Sequence, residues 1–239
     1  MFERVAAPAT FTPHSLADFD GRFTAAFDRR PCRVILITGG ARYFCMGMDL
    51  DYITGAYAPD LIARFGDTLR MIRNCRKPVL ACVEGDVVAG GMALLAVADM
   101  VVASEAATFR LPEVTFGVAP TIAMACLRER IAPSDLKFLV WTSSAISASR
   151  AREIGLVDYV SKPDLLEQDV LATGKRLACM PPSVLGATRT MLGTHRSFDD
   201  SLDVGCELLR HRLDEPEVVE NIRHYRDAVR LFDNERVGD

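Results

Sequence analysis

Three short β-branched runs, each followed by a stretch with helical spacing, set the fold class of this chain before any motif is considered. "RVILIT" (33–38) ends at Gly39-Gly40. A short apolar run without alternation is the pattern of a strand buried on both faces. "DLIARFGDTLRMIRNC" (60–75) follows as an amphipathic helix, "KPVLACVEG" (77–85) as a second buried strand, a helix over about 90 to 98, and "MVVAS" (100–104) as a third strand. Strand, helix, strand, helix, strand predicts an α/β fold with parallel pairing and right-handed crossovers. Ahead of these, "SLADFDGRFTAAFDR" (15–29) places Leu16, Phe19, Phe23 and Phe27 at helical intervals. Beyond residue 119 the chain turns helical, and "PPSVLGATRTML" (181–192) opens on two prolines, as a helix N-terminus tolerates. The expected organisation is a core over 1–180 and a helical layer over 181–239, with a soft boundary near 180.

Composition narrows the function. With 239 residues, 49% apolar and 25% charged, the chain reads as globular, with enough length to bury a large core. A net charge of −4 without a basic block offers no footprint for nucleic acid or an anionic membrane. The longest uncharged apolar run, "VVAGGMALLAVA" (87–98), is too short to span a bilayer. No signal-peptide pattern opens the sequence, and the seven cysteines include no C-x-x-C pair, so reduced thiols in a cytoplasmic protein are expected.

Side-chain motifs are scarce. His14, His195, His211 and His224 are scattered, and no H-x-x-x-H, H-E-x-x-H, G-x-S-x-G or P-loop spacing occurs. No metal or bound cofactor is expected. Cys45 has two readings: a nucleophile, which needs a base and a lowered pKa and has no His near it in sequence, or a small buried residue under a loop. Two glycine turns invite a different chemistry. "YFCMGMDL" leaves a strand and turns at Gly47, and "VAGGMALL" leaves another and enters a helix at a Gly pair. Together they could aim two backbone N–H groups at one oxygen, or serve only tight strand–helix packing. In "ATFRLPEVTFGVAP" (107–120), Glu113 sits among apolar residues, where a carboxylate with a raised pKa can do acid/base work or simply start a helix.

The order and spacing of "LITGGARYFCMGMDLDYI", "KPVLACVEGDVVAGGMALLAVADMVVASEAATFRLPEVTFGVAP" and "SASRAREIGLVDYV" resemble the crotonase (enoyl-CoA hydratase/isomerase) superfamily over roughly residues 10–180. The resemblance implies a ββα spiral with a helical C-terminal region that trimerises, as a homotrimer or a dimer of trimers. It implies oxyanion donors at the N–H groups of Met48 and Gly90 and an acid/base carboxylate at Glu113. The family's earlier glutamate falls on Ala93, which cannot act as one. Asp51 stands where many relatives have a basic residue for the CoA nucleotide. The stretches "GMDL" and "LPEVTFGVAP" are also similar to dehydratases of polyketide β-branching, which act on a 3-hydroxy-3-methylglutaryl group carried by acyl carrier protein. Only about 14 residues precede the first helix, which implies a shortened or partner-covered front edge.

The expected activity is that of an acyl-thioester lyase, dehydrating a 3-hydroxyacyl group on CoA or on a carrier protein's phosphopantetheine. A decarboxylase or double-bond isomerase on the same site, and a non-catalytic partner subunit, are the alternatives. Tyr52, Tyr57, Asp86, Ala93 and Trp141 are candidate pocket residues. Asp49 is expected to cap a helix and Asp99 to be structural. Arg223, Arg226 and Arg230 are candidates to meet an acidic carrier or to form a solvated helix face.

Overall fold

The computed structural model describes residues 2–55, 58–193 and 196–235. A five-stranded parallel sheet carries β1 (Phe2–Ala6), β2 (Val34–Thr38), β4 (Val79–Val83), β6 (Met100–Ser104) and β9 (Tyr159–Ser161), in the order β1-β2-β4-β6-β9. A second, four-stranded sheet runs β3 (Tyr43–Cys45), β5 (Asp86–Val88), β7 (Thr108–Arg110), β8 (Ile146–Ser147), with only the β7–β8 pair antiparallel. The helices that follow the first strands are α1 (Pro13–Asp28), α2 (Leu50–Ile53), α3 (Ala58–Arg73) and α4 (Gly90–Val97). Then come α5 (Thr121–Leu127), α6 (Pro133–Thr142), α7 (Ala148–Glu153), α8 (Leu166–Cys179), α9 (Pro182–Gly193), α10 (Arg196–Leu213) and α11 (Pro216–Glu235). This is the α/β architecture that the resemblance implies.

The larger sheet is buried on both sides, which is why its strands read as unbroken apolar runs. Val34, Leu36, Leu80, Cys82 and Val102 face α8 through Leu166, Val170 and Ala178. Ile35, Ile37, Val79, Ala81 and Val101 face the opposite way, into the main core. Among the described residues one strand, β1, precedes α1 and pairs in parallel with β2, Phe2 opposite Val34 and Ala6 opposite Thr38. Thr12 caps α1 by accepting from the Ser15 N–H while the Ser15 hydroxyl accepts from the Thr12 N–H, and Pro13 opens the helix.

The helices beyond residue 180 share the main core. Leu202, Cys206, Leu209 and Leu213 on α10, with Val218 and Ile222 on α11, are buried in the same cluster as the sheet residues. Asp99 also joins the two regions: it accepts from the Val79 N–H and pairs with Arg189 of α9 at 2.6 Å, the structural part expected of it.

Candidate active site

The two glycine turns meet. Gly47 has φ +86, a conformation that favours glycine. A Cβ at Gly47 would stand 2.8 Å from the Gly90 nitrogen, and one at Gly90 would stand 3.4 Å from the Gly47 Cα. The segment ahead of α1 fixes this turn through three backbone bonds: Phe11 N–H to Gly47 O at 2.7 Å, Asp49 N–H to Phe11 O at 3.0 Å, and Met46 N–H to Ala9 O at 2.7 Å. Behind it Gly91 is equally tight, since a Cβ there would lie 2.6 Å from the Cys45 carbonyl oxygen. Ala89 takes φ 53 and ψ −123, an uncommon conformation for a residue with a side chain, just before Gly90 opens α4. The N–H groups of Met48 and Gly90 make no hydrogen bond among the described residues. Two unused donors on touching turns can hold an oxygen that is gaining negative charge.

Glu113 begins a single helical turn, Glu113–Phe116, closed by Gly117 at φ 82. Thr115 holds the turn by donating its hydroxyl to the Pro112 carbonyl at 2.6 Å, and the Val118 N–H returns to the Glu113 carbonyl at 3.1 Å. The residue as a whole is half-buried, but Oε2 is sealed from solvent and has no hydrogen-bond partner. Burial pushes the carboxyl up from 4.5 to about 7, against a small opposing backbone hydrogen bond.

One cavity of about 60 Å³ joins these parts. Met48, Ala89, Gly90 and Glu113 are in its wall, with Leu50 and Ile53 from α2 and Phe65 from α3. Phe116 and the segment from Val118 to Ala123 add another side, and Leu209 of α10 and Ile222 of α11 complete it. Among the described residues of this wall, Glu113 is the one ionisable side chain. Thr121 commits its hydroxyl proton to the Gly205 carbonyl at 2.5 Å.

Other expected pocket residues lie elsewhere. Asp86 accepts from the Thr108 N–H at 3.0 Å and hydroxyl at 2.8 Å, tying β5 to β7. Trp141 is 75% exposed on α6, with Lys137 over its ring, and Tyr52 is 40% exposed on α2. Neither they nor Asp86 line the cavity. The wall is built instead from apolar side chains, two of them phenylalanines, and from Glu113 and Thr121. Ala93 is fully buried in the core within α4 and is likewise not in the wall. Tyr57 lies outside the described residues. Cys45 is fully buried and burial pushes its thiol up to about 12, which removes it as a nucleophile at neutral pH.

Asp51 corrects an expectation about charge. Its carboxylate is paired with Arg226 and, at 2.7 Å, with Arg230, both on α11. Slight burial works against this carboxylate, yet the hydrogen bonds from Arg230 and Arg226 hold it below its ordinary value. Two of the three arginines considered for docking a carrier are therefore engaged within the chain, and Asp51 adds no unbalanced negative charge beside the cavity. Asp49 caps α2, accepting from the Asp51 N–H at 3.0 Å and the Tyr52 N–H at 3.3 Å. Tyr225, on the same helix as the arginines, stacks against Phe116 with ring centroids 4.8 Å apart. Burial and the Glu113 charge raise its phenol, against the pull of Arg110.

Leu209 and Ile222 were not legible as site residues. Each is one apolar position among many on an amphipathic helix, and nothing local marks which of them reaches the cavity. Among the described residues no group of three His, Cys, Asp or Glu side chains could hold a metal ion, and no helix is long and apolar enough to cross a membrane.

Comparison with known proteins identifies the family and the fold. The family model for enoyl-CoA hydratase/isomerase matches residues 2–220. The carnitinyl-CoA dehydratase of Proteus mirabilis is 29% identical over 206 residues, 83% of this chain and 76% of that protein. The 2,3-dehydroadipyl-CoA hydratase of Escherichia coli is 32% identical over 164 residues, 66% of this chain and 63% of that protein. The crystal structure of an enoyl-CoA hydratase from Mycobacterium avium superposes with a TM-score of 0.84 at 22% identity, covering 95% of this chain and 91% of the other.

Proposed function

The chain belongs to the enoyl-CoA hydratase/isomerase family, and from that premise we propose that it is an acyl-thioester lyase of the hydratase/dehydratase type in which Glu113 is the single acid/base carboxylate. The observation that carries this reading is the sealed, unpartnered Oε2 of Glu113 in the same cavity as the unused N–H groups of Met48 and Gly90.

The substrate is an acyl group in thioester linkage to CoA or to a phosphopantetheine arm. Its thioester oxygen accepts from the two N–H groups. Glu113 removes the α-proton, and the electron pair of the broken C–H bond is delocalised towards that oxygen. As the β-hydroxyl leaves, the pair forms the Cα–Cβ double bond, and the proton on Glu113 departs with the hydroxyl as water. Each oxyanion donor contributes about 3–4 kcal/mol of transition-state stabilisation in comparable sites. A carboxyl near 7 is divided between acid and base forms at neutral pH, which suits a group that first takes and then gives a proton.

Ala93 supports a one-carboxylate reaction over a hydration that needs two. Pairing of Asp51 with Arg226 and Arg230 removes the charge argument for a carrier protein, so CoA is the simpler carrier. The test is incubation with acyl-CoA and acyl-carrier panels, read by intact mass. Dehydration loses water, decarboxylation loses carbon dioxide, and isomerisation leaves the mass unchanged. No turnover on any thioester overturns the reading in favour of a non-catalytic subunit. We further propose self-association as a homotrimer, for which Phe138 (51% exposed) and Trp141 (75% exposed), one turn apart on α6, offer an apolar face. A monomer mass by light scattering overturns that assembly.

A further inference from the structure

The cavity that holds Glu113 has no other ionisable side chain in its wall among the described residues. We infer that it takes an uncharged, apolar acyl group and rejects one that carries a carboxylate or an ammonium at its far end. The inference rests on the acyl-thioester reading above and narrows its substrate class.

The wall provides the argument. Beyond Met48, Gly90 and Glu113, the wall offers an acyl chain Phe65, Phe116, Ile122, Leu209 and Ile222, none of which can solvate a charge. Thr121 is the wall's one hydroxyl, and its proton is already held by the Gly205 carbonyl. No cation stands in the wall among the described residues: Arg226 and Arg230 are turned to Asp51, and Arg110 donates to the Ser143 carbonyl at 2.8 Å. A distal carboxylate would lose its hydration without a partner and would share the cavity with Glu113, a like charge. A distal ammonium could pair with Glu113, but the pair would hold that carboxylate in its charged form and take it from the α-proton. Both kinds of charge therefore fail, for different reasons, and a neutral chain meets neither obstacle. A 3-hydroxy-3-methylglutaryl group, with its free carboxylate, falls on the rejected side.

Exchange of the α-hydrogen tests this without presuming the later steps. In D2O, Glu113 takes the α-proton and the C–H electron pair moves towards the thioester oxygen. The carboxyl exchanges with solvent, and a deuteron returns to carbon. Valeryl, glutaryl and glutaramyl groups are compared, each as the CoA thioester and as the pantetheine thioester, at pH 7.5 and read by intact mass. The first two have the same carbon count, and the third replaces the carboxylate with an uncharged amide of the same shape. Valeryl exchange should exceed glutaryl exchange at least a hundredfold in kcat/KM, with either carrier. Glutaramyl should exceed glutaryl at least tenfold. Equal exchange of valeryl and glutaryl thioesters overturns the inference and leaves the lyase reading standing. An amide as poor as the carboxylate also overturns it, because shape would then be the discriminator. Absence of exchange on every thioester, with Glu113→Gln indistinguishable from the parent, overturns the lyase reading and the inference together. Calorimetric binding gives a second measure independent of turnover: valeryl-CoA should bind at least thirtyfold more tightly than glutaryl-CoA, and equal affinities overturn the inference.

Discussion

Glu113 trades stability for reactivity, and both sides can be measured. Glu113→Gln keeps the shape and removes the base, so turnover should fall roughly a hundredfold or more while the circular dichroism spectrum stays the same. Stability should move the other way. The folded carboxyl, raised from 4.5 to about 7, binds its proton more tightly than the unfolded one. The folded state is therefore favoured below about pH 4.5 and loses that advantage as pH rises through 7. At pH 8 the Gln variant should be the more stable by up to roughly 3 kcal/mol, with the gap closing towards pH 5, as followed by urea unfolding at each pH. Gly47→Ala should be harmful on both counts. It forces a Cβ to within 2.8 Å of the Gly90 nitrogen at φ +86, and it should lower both stability, by about 1–3 kcal/mol, and activity. Both residues were legible in the sequence, one as a carboxylate among apolar neighbours and the other as a glycine at a strand end. The apolar neighbours also pointed to a raised pKa; what had no local signal was the part of the cavity wall supplied by Leu209 and Ile222, about a hundred residues further along the chain.

At the scale of elements, α11 is held over the cavity by few and unlike contacts. Ile222 is in the wall, Tyr225 stacks on Phe116, and Arg226 and Arg230 reach Asp51 on α2. The ion pairs are largely exposed, so salt should weaken them. Asp51→Ala should speed amide hydrogen exchange along α11 and leave β4 unchanged, and 0.5 M salt, on the order of several times physiological strength, should do the same to the parent chain. Unchanged exchange in α11 would show that packing alone seats the helix. The long helices were legible because each repeats its period several times, and the buried strands because each is an unbroken apolar run; β6 falls on the predicted 100–104. The second sheet was not. Its strands are two or three residues long, too short for alternation to declare itself, and its glycine-rich joints read equally well as turns. The pairing of Asp51 with α11 was hidden for another reason: sequence separation of 175 and 179 residues leaves no local signal.

The whole molecule unfolds as one body if the shared core means what its packing implies. Leu202 on α10 is fully buried in the same cluster as the sheet residues, although it lies beyond the expected soft boundary near 180. Leu202→Ala should destabilise the chain by about 2–5 kcal/mol and should shift a single unfolding transition monitored by both fluorescence and circular dichroism. Two separated transitions, with only the later helices affected, would instead restore that boundary. Shared burial also bears on biosynthesis. Translation adds residues from the N-terminus at about 5–20 per second, so Glu113 is made roughly 5–20 s before Ile222. Through that interval the wall around the carboxyl is incomplete, since Ile222 is part of it. The nascent polypeptide can thus acquire its sheets early, while the cavity around Glu113 is complete only when α10 and α11 arrive.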